Sequence, residues 1–188
     1  MRIAIMALQG AFAEHEHILK CLGVETFEIR QLSDWNKPKD GLIIPGGEST
    51  TQMKLLKKLG LFDPVRDCIQ GGLPVFGTCA GLILLARHVE NSDMETMATM
   101  GIDVCRNAYG RQLGSFHISG NVMGVGTDVP MTFIRAPYIK NVYDGVEILS
   151  VVNNRIVAAR QNNQLVTSFH PELDGDTRVH EYFLNMIE

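Results

Sequence analysis

Residues 73–86 read LPVFGTCAGLILLA, an apolar run that stops at a G-x-C-x-G turn with a second apolar run directly behind it. The first five residues have the character of a buried strand and the run after the turn that of a buried helix, so the stretch predicts strand, tight turn and helix in succession. Such a turn needs small residues on both sides of Cys79, because side chains at Gly77 and Gly81 would collide with neighbouring backbone. It exposes the thiol and aims the N–H groups of the first helical turn at its sulfur, which favours the reactive thiolate. Taken alone, the stretch leaves a second reading open, in which Cys79 is one of four small buried hydrophobes.

The chain on either side repeats the pattern. Residues 2–8 form an apolar run, residues 14–22 carry Ile18, Leu19 and Leu22 at helical spacing, Gly23 is a C-terminal stop, and residues 24–29 read as a strand. GLIIPGG at 41–47 is a buried strand ending at a loop, Ser49 or Thr50 is placed to cap a helix over 51–59, and 62–70 reads as another. Strands and helices at such short intervals predict an α/β fold: a doubly wound, mostly parallel, flavodoxin-like sheet covered on both faces. Residues 88–132 are richer in Ser, Asn, Asp, Gly and Thr, which suggests loops and antiparallel additions. Three strands follow over 146–152, 155–161 and 164–169, joined by Asn153-Asn154 and Asn162-Asn163 turns, and a helix closes the chain over 178–187.

The 188 residues are 45% hydrophobic and 20% charged, which suits one globular domain over residues 1–188. A net charge of −4 without a basic cluster argues against nucleic acid as a partner. The opening MRIAIMALQG reads as a first buried strand, not a secretory leader, and no apolar run is long enough for a bilayer, so a cytoplasmic protein with no membrane partner is expected. Cys21, Cys68, Cys79 and Cys105 are scattered with no C-x-x-C, which suggests neither a zinc site nor a disulfide framework. His15 and His17 lie two apart on a predicted helix and so do not share a face, which disfavours a metal site there; no metal and no cofactor are expected.

A thiol nucleophile needs a base. SFHPE at 168–172 follows an apolar strand, and residues two apart in extended chain project to one side, so His170 and Glu172 can face one way with Pro171 between them. Imidazole would exchange the proton and the carboxylate would orient it. The carboxyl ends of the strands in a doubly wound sheet form the functional crevice, and Gln9-Gly10, PGGEST at 45–50 and Cys79 all fall at such ends. The Gly-Gly turn lets backbone N–H groups approach an oxyanion, with the Ala80 N–H directly after the nucleophile. GGEST lacks the lysine of a phosphate loop.

A strand ending PGGEST, then FGTCAG, then SFHPE, resembles the class I (triad-type) glutamine amidotransferases. LQGAFAEH at 8–15, LIIPGGESTT at 42–51, PVFGTCAGLILLA at 74–86, RNAYGRQLGSF at 106–116, FIRAP at 133–137 and SFHPEL at 168–173 are more closely similar to the glutaminase subunits of pyridoxal 5′-phosphate synthase, over essentially the whole chain. The resemblance implies hydrolysis of L-glutamine to L-glutamate and ammonia through a γ-glutamyl thioester on Cys79, with His170 as proton shuttle and Glu172 as its orienting acid. It places oxyanion donors on the Gly47 and Ala80 backbone and glutamine-holding positions on Gly46, Gly47, Glu48, Ser49, Arg106, Ile134 and Arg135. Charge logic agrees for Glu48 toward the substrate ammonium and Arg106 toward its carboxylate. The implied partner is a (β/α)8-barrel synthase subunit in a large hetero-oligomer, which receives the ammonia for vitamin B6 synthesis and activates the glutaminase on docking, with the Gln9-Gly10 loop part of the contact. One departure from the family pattern is His117, where an acidic residue is usual after Ser-Phe, with Gly114 two places before Phe116. Three rivals stay open: the glutaminase of another pathway, such as the histidine-biosynthesis synthase; a flavodoxin-like cysteine hydrolase or stress protein; and a binding module in which Cys79 only packs.

Overall fold

The computed structural model describes residues 1–106 and 114–187. In chain order the strands are β1 (Arg2–Met6), β2 (Glu25–Ile29), β3 (Gly41–Ile44), β4 (Val75–Thr78), β5 (Ala86–Val89), β6 (Met100–Cys105), β7 (Ser115–Val122), β8 (Gly126–Ile134), β9 (Tyr138–Val142), β10 (Glu147–Val152), β11 (Arg155–Gln161) and β12 (Gln164–Thr167). The helices are α1 (Phe12–Cys21), α2 (Leu32–Trp35), α3 (Ser49–Lys58), α4 (Phe62–Gln70), α5 (Ala80–Leu85) and α6 (Arg178–Asn185).

The order β2-β1-β3-β4-β12 is parallel throughout and forms the half of the sheet that the apolar runs predict. Strand alternation turns Ile3, Ile5, Ile43, Phe76 and Leu165 to one face, where Leu19 of α1 and Phe183 of α6 cover them. Ala4, Met6, Leu42, Ile44, Val75 and Val166 turn to the other, under α3, α4 and α5. Burial on both faces is why β3 and β4 read as unbroken apolar segments. From β12 the sheet continues antiparallel through β11 and β9 to β6, with β5 at the edge and β10 paired to β11. Within 88–132, β7 and β8 make the expected antiparallel addition, as a hairpin sheet of their own, whereas β6 and the end of β5 join the main sheet.

The local signals are mostly realised. Asn153 and Asn154 both adopt positive φ, as does Asn162, and Gly23 ends α1 at φ 74. Two details differ. The α3 cap is Glu48, and neither Ser49 nor Thr50 caps it, because Gln9 Oε1 accepts the Glu48 N–H at 2.7 Å and starts the helix early. The single-turn α2, Leu32–Trp35, is too short to carry a helical periodicity. No helix among the described residues is long and apolar enough to cross a membrane.

The close approach around the G-x-C-x-G turn is as tight as the sequence demands. A Cβ at Gly81 would lie 2.1 Å from the Ile44 carbonyl oxygen, and one at Gly77 would lie 2.8 Å from the Gly81 carbonyl carbon. Both obstacles are backbone and cannot rotate away. Gly81→Ala is therefore expected to lower the unfolding free energy by about 3 kcal/mol, read as a shift of the urea midpoint at unchanged slope; a midpoint equal to that of the parent chain would refute the close-packed turn.

Candidate active site

β4 runs straight into the turn, and Cys79 occupies it at φ 48 and ψ −96, a backbone conformation rare for any residue with a side chain. Its N–H donates to the Thr167 carbonyl at 2.8 Å, which ties the bend to the end of β12. The thiol is nearly buried, at 7% exposure.

The chain beyond β12 is equally constrained. Ser168 N–H donates to the Val157 carbonyl and His170 N–H to the Thr132 carbonyl, so His170 is delivered to the same strand ends as Cys79. The reach of Glu172 back to His170 is real, but its local cause is not extended chain. Pro171–Leu173 is a 3₁₀ turn, favoured by the fixed φ of Pro171 at its first position, and that turn folds the Glu172 carboxylate onto the imidazole. His170 Nδ1 lies 2.7 Å from Glu172 Oε1. A carboxylate only accepts, so Nδ1 carries the donated hydrogen and Nε2 is left for the thiol. Burial would pull His170 down, but hydrogen bonds with Cys79 and with Glu172, and the charges of both, outweigh it and lift the imidazole from 6.5 to about 10. An imidazolium is thus stable beside Cys79 at neutral pH.

Above them is a cavity of about 220 Å³, sized for an amino acid, lined in part by Gly47, Glu48, Ser49, Arg106, Ile134 and Arg135 together with Cys79 and His170. Gly46 underlies it: its N–H donates to Thr78 Oγ1, its carbonyl accepts from Ala11 N–H, and a Cβ there would fall 2.3 Å from His170 Cε1. Ala80, the first residue of α5, directly follows the thiol. Arg135, at φ 43, pairs with Glu48 at 3.4 Å. Of RNAYGRQ, only Arg106 is placed; residues 107–113 lie outside the described residues. The three strand-end features do meet, and sequence reasoning missed how: Gln9 lines the cavity, holds Glu48 N–H through Oε1, and accepts from Gln52 Nε2 through its carbonyl. His117 contacts Thr132 Oγ1 at 3.0 Å and lies 3.4 Å from Asp174, and it is not among the cavity's lining residues.

His15 and His17 separate as the helical spacing requires, His17 exposed and His15 buried, but the buried one lies behind the site, with His180 2.9 Å from its Nδ1. Burial first, then the nearby His180 and His170, lowers His15 well below 6.5, and burial takes His180 to about 4. Unfolded, both would titrate near 6.5, so the unfolded chain binds more protons below that pH and stability falls on acidification toward pH 4. His170 runs the other way: its contribution is complete below about 6.5 and is lost as pH rises toward 10. The unfolding free energy from urea titrations is expected to peak near pH 7 and to fall by about 2–4 kcal/mol by pH 5; a profile flat from pH 5 to 9 would contradict this.

A thiol, an imidazole and a buried carboxylate thus gather at the carboxyl edge of the parallel strands, under an amino-acid-sized cavity. The chain belongs to the SNO glutamine amidotransferase family, whose profile matches residues 5–188. It is 56% identical to the pyridoxal 5′-phosphate synthase subunit PdxT of Streptococcus pneumoniae, over 99% of this chain and 97% of that protein. A solved structure described as a glutamine amidotransferase superposes with a TM-score of 0.93 at 41% identity, covering 98% of each chain. A glutamine amidotransferase from Thermotoga maritima, 14% identical over 98% of this chain and 83% of its own, shares the fold at a TM-score of 0.65.

Proposed function

We propose that this chain hydrolyses L-glutamine to L-glutamate and ammonia and delivers the ammonia to a pyridoxal 5′-phosphate synthase subunit. The observation that carries the reading is the His170–Glu172 contact of 2.7 Å at the floor of the cavity that His170 and Cys79 line together. In this reading the Cys79 thiolate attacks the glutamine carboxamide carbon, and the oxyanion is met by the Gly47 and Ala80 N–H groups. The imidazolium of His170 gives its proton to the leaving nitrogen, ammonia departs, and a γ-glutamyl thioester remains. His170 then takes a proton from water, which attacks the thioester and releases glutamate. Glu48 suits the substrate ammonium and Arg106 its carboxylate, with Gly46, Ser49, Ile134 and Arg135 shaping the cavity around them.

The 56% identity to a named synthase subunit supports the pathway, and the resemblance of the motifs supports a (β/α)8-barrel partner in a large hetero-oligomer. The free thiols Cys21, Cys68, Cys79 and Cys105 fit a reducing cytoplasm. The deciding experiment is glutamate release from glutamine by the purified chain, with and without the matching synthase subunit. Release that rises sharply with the synthase supports both parts of the proposal. Release indifferent to it keeps the chemistry and moves the pathway elsewhere, and no release in either case overturns the reading.

A further inference from the structure

Behind the triad, on the face away from the cavity, three buried polar side chains meet that the chemistry above does not use. His15 of α1 lies 2.9 Å through Nδ1 from His180 Nε2 of α6, and its Nε2 lies 3.2 Å from Thr78 Oγ1 and 3.5 Å from Glu172 Oε2. His15, Thr78 and His180 are fully buried, walled by Phe76, whose ring meets both imidazoles edge-on. Glu172 Oε1 is occupied by His170, whereas Oε2 is buried and has no conventional hydrogen bond among the described residues. An uncompensated oxygen on a buried carboxylate is costly, and the long contact to His15 Nε2 is the interaction positioned to offset it.

The tautomers follow from elimination. If His15 carried its hydrogen on Nδ1, a bare Nε2 lone pair would face the carboxylate, and His180 would have to bury a hydrogen on its unpartnered Nδ1. With the hydrogen on Nε2, His15 points a donor at Glu172 and Thr78, and His180 Nε2–H completes the chain into His15 Nδ1. We propose that His15, set in this tautomer by His180, is a positioning residue for Glu172: its Nε2–H holds the second carboxylate oxygen so that the first stays on His170 Nδ1. The inference rests on the triad reading above. Burial keeps both imidazoles neutral, so they supply a donor without a counter-charge that would weaken the Glu172–His170 pair. A long donor contact in the unliganded state is the kind that shortens when charge develops in the reaction. Thr78 links the same chain to the turn beneath the cavity, because its Oγ1 also accepts the Gly46 N–H.

The test is steady-state glutamine hydrolysis in complex with the synthase subunit, for His15→Phe, His15→Gln, Glu172→Gln and the His15→Phe/Glu172→Gln double variant. His15→Phe keeps the ring volume and removes the donor; kcat is expected to fall about 10–100-fold, the range for losing a group that orients another, with KM within twofold. His15→Gln restores an N–H near Nε2 and should recover most of kcat. In the Glu172→Gln background His15→Phe should cost less than about threefold, because the carboxylate it serves is gone. A wild-type kcat for His15→Phe, or an equal loss in both backgrounds, would overturn the inference and leave His15 a packing residue. Should His15→Phe not fold, His180→Phe takes its place: a loss of kcat at unchanged KM supports the chain, and a kcat within twofold of the parent overturns it. Absence of Cys79-dependent hydrolysis in the parent chain would instead overturn the functional reading, and this inference with it.

Discussion

Cys79→Ala is expected to abolish glutamine hydrolysis, by four orders of magnitude or more, while leaving the chain folded. Removing a nucleophile that acts in concert with its base costs about as much as removing the whole catalytic group, roughly 10⁴–10⁶ in kcat. The fold should tolerate the change because the sulfur is nearly buried, alanine fills most of the space, and the backbone bond from residue 79 to Thr167 is untouched. Glutamate release in the presence of the synthase subunit, set beside the thermal midpoint of each chain, separates the two effects. Residual turnover above about one part in a thousand would mean that another group forms the acyl intermediate, or that none forms.

Glu172→Gln is the second large effect, and it isolates charge from geometry. The amide oxygen can still accept the His170 Nδ1–H that the carboxylate accepts at 2.7 Å, so the imidazole need not move. What is lost is the negative charge that, with Cys79, holds His170 up against the pull of burial. The amide nitrogen would also face His15 Nε2, donor against donor. A fall in kcat of about 10²–10⁴ is expected, by analogy with the acid of a serine-protease triad. The His170 titration, followed by NMR, should drop from about 10 by more than one pH unit. A kcat within threefold of the parent would remove Glu172 from the mechanism.

Much of this architecture is legible in the amino-acid sequence, for identifiable reasons. β1, β3 and β4 are covered on both faces, so the chain there reads as largely apolar runs, and the bend at Cys79 is written in its two glycines. The other end of the sheet is harder to read. β6 contains Asp103, a poor strand former, whose buried carboxylate is made tolerable by Tyr143 and Asn141, which lie 40 and 38 residues away. Such a strand looks like loop until its partners are placed. The pairing of His170 with Glu172 is legible from spacing, although a 3₁₀ turn and not a strand achieves it. His15 is legible as one face of a helix, but nothing local says that this face meets the end of β4 and the turn after His170.

The backbone at residue 79 has a further consequence when seen through inheritance. At φ 48 and ψ −96 any side chain is strained, and glycine would relieve about 1–3 kcal/mol. A library screened only for heat resistance should therefore enrich glycine at this codon, whereas one screened for ammonia production should purge it within a generation. Selection for stability alone would thus remove this cysteine, and selection for turnover is what would hold it in place.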